Sequence, residues 1–218
     1  MRDSDIHQAM AILAEAVKGW PTPAVTIVAT RDHDPFKVLV SCILSLRTRD
    51  QTTAEASLRL FGLADTAEKL SRLSVAEIEE AIYPVGFYRV KARQILEISG
   101  QLTELHAGQV PSELDLLLKF KGVGRKTANL VLTLGFGKAG ICVDIHVHRI
   151  CNRWGYVDTR TPEQTEVALR KRLPPEYWIV INDLLVCFGQ NQCTPVSPRC
   201  SNCPLYLLCD RVGVLRAR

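Results

Sequence analysis

The sequence predicts an all-α protein. Apolar residues recur at helical spacing, the connections are short and rich in Gly, Pro and polar residues, and no stretch reads as a pair of strands. At 218 residues the chain can hold one large domain or two small ones around a real hydrophobic core.

In order, residues 4–18 read as an amphipathic helix, with Ile6, Ala9, Met10, Leu13, Ala16 and Val17 on one face and Ser4 or Asp5 as a cap. Gly19-Trp20-Pro21-Thr22-Pro23 breaks it and reads as a linker to a different unit. Asp34-Pro35 opens the next helix, a cap followed by proline in the first turn. Residues 36–46 are apolar nearly all round, as expected of a helix buried on most sides. That helix empties into Ser45, Leu46, Arg47, Thr48, Arg49 and Asp50, a polar string suited to a cleft wall. Asp50 is read as the cap of a helix over 52–61. Short helices follow over 66–70 and 74–82, the latter with Ser74 and Glu77 spaced as a capping box. The turn 84–88 carries Phe87 and Tyr88, and a long helix is predicted over 91–105. Further helices are expected over 112–118, 126–136, from 143 onward, 162–173 and 177–188.

Composition narrows the function classes. Hydrophobic residues make up 47% and charged residues 23%, ordinary values for a globular protein. A net charge of +4 permits nucleic acid as a partner without requiring it. No stretch has the length of a membrane span, and the N-terminus lacks a signal-peptide pattern, so a cytosolic protein without disulfides is expected.

Eight cysteines then need another explanation. Cys193, Cys200, Cys203 and Cys209 stand at C-x6-C-x2-C-x5-C, stiffened by Pro195, Pro198 and Pro204. Four thiolates so close in sequence can wrap one metal centre. Zinc held by four cysteines usually shows two C-x2-C pairs, and here there is one; a compact loop with one close pair suits a [4Fe–4S] cluster. Cys42, Cys142, Cys151 and Cys187 lie on apolar runs and read as core.

The other chemical signal is Lys121-Gly122-Val123-Gly124-Arg125-Lys126. Glycines allow a tight turn and close approach, and a helix starting behind them points N–H groups at an anion such as phosphate. Lys126 sits at the start of that helix, where the helix dipole disfavours a cation. Two readings stand: a solvated surface lysine, or an amine kept ready as a nucleophile.

Taken in order, the Gly-Val-Gly-Arg-Lys-Thr-Ala-Asn segment, a Val-Asp-x-His stretch whose Asp144 lies eighteen residues beyond Lys126, and the cysteine tail resemble the endonuclease III family of DNA glycosylases, in the helix-hairpin-helix superfamily. The resemblance spans about residues 5–210. It implies a six-helix barrel over 28–138 with the helix-hairpin-helix motif at about 112–134. It also implies a discontinuous cluster domain of 1–27 and 139–218, with the cluster loop over 193–209 and a DNA cleft between the domains. The implied partner is double-stranded DNA with damaged bases or abasic sites, bound by a monomer, in the nucleoid if the source is bacterial. The implied activity is removal of oxidised pyrimidines followed by strand cleavage by β-elimination. Lys126 would be the nucleophile, Asp144 the carboxylate partner and the four cysteines the ligands of a [4Fe–4S] cluster.

Lys121, Gly122, Val123, Gly124 and Arg125 would hold the DNA backbone. Arg47 stands where the family has glutamine and Phe87 where it has leucine, the two positions that fill the gap left by a flipped nucleotide. Both types stack and insert well. Tyr88 and Lys91 match the family pattern after that turn, and two readings of Lys91 stand: a phosphate contact or a solvated helix residue. Ser45, Asp50 and His146 are pocket candidates, and His148 is read as a surface residue. Phe188-Gly189-Gln190 replaces the family's His-Gly-Arg, which implies a lost polar contact near the cluster. A monofunctional glycosylase and a non-catalytic damage-binding protein are the alternatives; retention of both Lys126 and Asp144 argues against them.

Overall fold

The computed structural model describes residues 1–218, apart from the side chain of Asp32. It is all-helical, with no strand among the described residues. The chain divides into two compact units, one formed by Met1–Thr22 with Ala139–Arg218 and the other by Pro23–Lys138.

A short 3-10 turn, Asp3–Asp5, leads into α1 (Ile6–Ala16). The continuous unit then holds α2 (Ala24–Asp32), α3 (Pro35–Ser45), α4 (Asp50–Leu63), α5 (Ala67–Leu70), α6 (Val75–Ile82), α7 (Tyr88–His106), α8 (Leu114–Leu117) and α9 (Arg125–Leu130). A π-helical stretch, Val131–Gly135, extends α9. The chain returns to the first unit with α10 (Ile145–Arg153), α11 (Pro162–Arg172) and α12 (Ile181–Asn191).

Helix α3 is the spine of the continuous unit. Asp34 accepts from the Phe36 N–H at 2.8 Å and Pro35 occupies the first turn, so the start signal works as predicted. Phe36, Val38, Leu39, Val40, Cys42, Ile43 and Leu44 are all buried, which accounts for the absence of a polar face. Helices α2, α4, α7 and α9 pack around it. Burial on every side removes apolar area from water at about 25 cal/mol per Å².

The other unit has its own core, with Ile6 and Leu13 of α1 against Val147 and Ile150 of α10 and Leu185 and Phe188 of α12. Leu13 is fully buried; Leu13→Ala there costs about 2–5 kcal/mol. Cys42, Cys142, Cys151 and Cys187 are buried, as their apolar surroundings in sequence imply.

Several elements differ from the sequence expectation. Helix α2 was not predicted, because its apolar residues follow no clear helical stripe and a proline precedes it. Helix α4 begins at Asp50, with Arg49 in the N-cap position and no side-chain cap, so Asp50 belongs to the first turn and is not the cap. Helix α7 starts three residues early, at Tyr88. The last helix runs Ile181–Asn191 and a 3-10 turn occupies Pro175–Tyr177. The capping box of α6 forms, with Ser74 and Glu77 exchanging side-chain contacts. No helix among the described residues is long and apolar enough to cross a membrane.

Candidate functional site

In the continuous unit, α8 and α9 flank the turn 118–124. Gly122 has φ +78°, a left-handed conformation that favours glycine, and a Cβ there would lie 2.5 Å from the Gln94 amide nitrogen. That amide donates to the Lys121 carbonyl at 3.0 Å and ties the turn to α7. The Val123 N–H donates to the Phe120 carbonyl at 3.0 Å, and both side chains are buried. Val123 therefore anchors the turn through its buried side chain and this bond. Lys121 and Arg125 are exposed at the tip. Gly124 is the extended N-cap of α9, and Lys126 follows in the first turn, half-buried.

Two loops of the same unit carry the remaining candidates. Arg47 and Phe87 both adopt left-handed backbone, with φ +52° and +58°. The Arg47 guanidinium lies 5.6 Å from the Phe87 ring centre, and Phe87 is 61% exposed. Tyr88 packs edge-on against Tyr83 beneath Arg89. Ser45 donates to the Cys42 carbonyl at 2.8 Å, which returns its hydroxyl to the helix end.

Lys91 departs from expectation. It is 5% exposed, and its ammonium donates to the carbonyls of Leu44 and Leu46 at 2.9 and 2.5 Å and to the Thr48 hydroxyl at 3.1 Å. Burial lowers that ammonium to about 8. Lys91 is thus an internal residue and does not reach out to a phosphate. Its sequence neighbours gave no hint, because its acceptors lie more than forty positions away.

In the discontinuous unit, Asp144 is the N-cap of α10. One carboxylate oxygen accepts from the His146 and Val147 N–H groups at 2.8 and 2.9 Å, and the residue is 7% exposed. These bonds fix the carboxylate and use one of its two oxygens. The His146 ring nitrogen Nδ1 lies 3.1 Å from the Arg149 guanidinium, and a Cβ on Gly189 would meet that ring nitrogen at 2.4 Å. Gly189 is therefore required for α10 and α12 to approach. His148 is half-buried against Thr165 at 2.7 Å, and is not a surface residue.

The four cysteines of the tail line one cavity, together with Arg153, Phe188, Gln192 and Arg199. Burial raises the thiols of Cys203, to about 11, and of Cys209, with the neighbouring cysteines adding to both. Among the described residues no three His, Cys, Asp or Glu side chains converge on a single-ion site. Two arginines that sequence reading passed over organise this loop. Arg149 donates to the Gly189 and Cys193 carbonyls at 3.1 and 2.9 Å. Arg153 donates to the Thr194 and Pro195 carbonyls, each at 2.7 Å, and to the Cys193 sulfur at 3.3 Å. Their i, i+4 spacing on α10 was the available signal. Phe188, in the position of the family's histidine, is 1% exposed in the core against Trp20.

A profile of HhH-GPD superfamily base excision DNA repair proteins matches residues 40–175. Endonuclease III of Thermotoga maritima is 48% identical over 180 residues, 83% of this chain and 84% of that protein. A structure of a non-covalent endonuclease III–DNA complex superposes with a TM-score of 0.84 at 31% identity, covering 97% of this chain and 96% of that one. A structure of a trapped endonuclease III–DNA covalent intermediate with an estranged adenine gives the same TM-score and identity, over 97% of each chain. With a helical hairpin on one unit and a four-cysteine loop on the other, this chain belongs to the endonuclease III family of base excision repair DNA glycosylases.

Proposed function

We propose that this glycosylase is bifunctional, removing oxidised pyrimidines and then cleaving the abasic strand through Lys126. DNA is its partner, and the enzyme extrudes the damaged nucleotide from the duplex. The Lys126 amine attacks C1′ of the sugar with its lone pair and gives up a proton; the C1′–N bond to the base breaks and the base leaves with the electron pair and takes up a proton. Opening of the sugar ring turns the new C–N bond into a Schiff base. That iminium acidifies the C2′ proton, whose loss expels the 3′ phosphate and breaks the strand. Asp144 offsets the positive charge that builds on the sugar as the base departs. Its cap bonds to the His146 and Val147 N–H groups hold the carboxylate in place without reorganisation. The exposed tip with Lys121, Gly122, Gly124 and Arg125 would hold phosphates without reading sequence.

The observation that carries this reading is the position of Lys126, half-buried in the first turn of the helix that leaves the Gly122 turn. The covalent intermediate trapped on a relative supports a nucleophilic mechanism. Borohydride trapping tests it directly. The wild type should form a covalent complex with an abasic or thymine-glycol duplex, and Lys126→Ala should form none. Equal trapping by Lys126→Ala would sink the assignment.

In this reading residues 28–138 form the six-helix barrel, and residues 1–27 with 139–218 form the domain that carries a [4Fe–4S] cluster. Cys193, Cys200, Cys203 and Cys209 fit that group. All four line one cavity, and their spacing has a single close pair, where zinc held by four cysteines usually shows two. A bound cluster would supply a rigid centre for a loop that otherwise reaches the core chiefly through Leu205. The exposed Arg199 would then face DNA. Brown colour and iron in the purified protein check this; a colourless protein holding zinc would overturn it.

A further inference from the structure

The buried Lys91 has no part in the chemistry above. A lysine ammonium has three protons to donate, and all three here have acceptors, at the end of α3 and on the loop that follows it: Leu44, Leu46 and Thr48. The Thr48 hydroxyl is equally saturated. Its single proton goes to the Leu46 carbonyl at 3.2 Å, and it accepts from Lys91 at 3.1 Å and from the Gly86 N–H at 3.2 Å. Thr48 therefore joins the loop that carries Arg47 to the loop that carries Phe87. The two backbones meet closely at this point, because a Cβ on Gly86 would lie 2.6 Å from the Arg47 carbonyl oxygen.

The residues beside each end of this staple are the two in left-handed backbone. Arg47 precedes Thr48 and Phe87 follows Gly86, with φ +52° and +58°. Neither is a glycine, so both conformations are held by their surroundings. They bring the guanidinium over the exposed ring at 5.6 Å. Burial pushes the Lys91 ammonium down to about 8, so the fold sustains a costly charge here.

We propose that Lys91 is a positioning residue for duplex opening: through Thr48 and Gly86 it locks Arg47 and Phe87 into one preformed stacked pair that enters the gap left by the extruded nucleotide. The proposal rests on the reading of Arg47 and Phe87 as gap-filling residues. A pair stacked before DNA arrives loses less freedom on insertion than two independent side chains. Lys91 touches neither the lesion nor the gap, and acts only through the two loops.

The test uses the full-length protein with three readouts. These are single-turnover excision from a thymine-glycol duplex, fluorescence of a 2-aminopurine next to the lesion, and cleavage of an abasic site in single-stranded DNA, where no stack has to be opened. Lys91→Met and Thr48→Val should each slow duplex excision at least tenfold and suppress the 2-aminopurine signal, with single-strand cleavage changed less than twofold. In an Arg47→Ala, Phe87→Ala background, Lys91→Met should add less than twofold. Equal losses on single-strand and duplex substrates, or a full additive loss in that background, would overturn the positioning role. If Arg47→Ala, Phe87→Ala excises from duplex at the wild-type rate, the gap-filling reading fails, and the proposal with it. Should Lys91→Met not fold, Thr48→Val alone decides, since it keeps the lysine and removes only the hydroxyl that joins the loops.

Discussion

Two loops of this molecule are held by the same device with different cations. On the continuous unit one lysine, Lys91, donates to the last turn of α3 and into the loop after it. On the discontinuous unit two arginines, Arg149 and Arg153, donate into the loop after α12. In each case a cation on a helix satisfies carbonyls that irregular backbone leaves without partners. The lysine is a compact, strongly hydrated charge, so its burial is costly and its ammonium falls to about 8. Guanidinium groups stay charged and fork, so two of them reach four carbonyls and a sulfur. A single point donor suits the short connection 46–49, and a fork suits the longer loop that carries the four cysteines.

The largest effect that would break this parallel is at the arginines. Arg153→Ala leaves the Thr194 and Pro195 carbonyls without their donor; the first bond is part-buried and the second exposed, so together they are worth about 1.5–3 kcal/mol. Thermal unfolding of the cluster-loaded protein should drop by roughly 5–10 °C, with lower iron content on purification. Arg153→Lys should recover less than half of that, since an ammonium cannot fork. Full recovery by lysine would mean that charge alone suffices and that the two loops are held alike.

A pH series sharpens the other side. Lys91 has a folded value near 8 against 10.5 for an ordinary lysine, so between these the unfolded chain binds more protons and stability rises with pH. This contribution is present above about 10.5 and lost as pH falls through 8, and it amounts to on the order of 3 kcal/mol. Urea midpoints of wild type minus Lys91→Met should climb across that window. A flat difference would place the ammonium in a better-solvated site than its three acceptors imply.

The smallest predicted effect is on selectivity. Arg47 has only donors to offer, which match the paired acceptors of guanine better than the mixed edge of adenine. Arg47→Gln supplies both a donor and an acceptor. Relative excision opposite adenine against guanine should rise by about fivefold, within the 1–3 kcal/mol of one base contact. Parallel excision rates on the two duplexes check this, and an unchanged ratio would show that Arg47 does not face the orphaned base.

Much of the site is written in contiguous residues, and for a physical reason. A glycine at positive φ, a proline in a first turn, a capping aspartate and closely spaced cysteines act on their own neighbours. Gly122, Pro35, Asp144 and Cys193 to Cys209 therefore reveal their work without the fold. The buried face of α3 is equally plain, because a helix with no polar stripe has to be surrounded. Lys91 was misread because a lysine after a turn looks the same whether it faces water or the interior. Its three acceptors come from a helix end and loop some forty-five positions earlier in the chain. The arginines of α10 were missed for the same reason, since the carbonyls they serve lie about forty positions later.

The chain alone thus settled the helical class, the cysteine loop and the hairpin, all products of interactions between near neighbours. Only packing decided which cations are structural and which are presented, and that two loops meet at Thr48 and Gly86. A buried charge is tolerated only where distant backbone converges to satisfy it, and convergence of that kind exists only once the chain has folded.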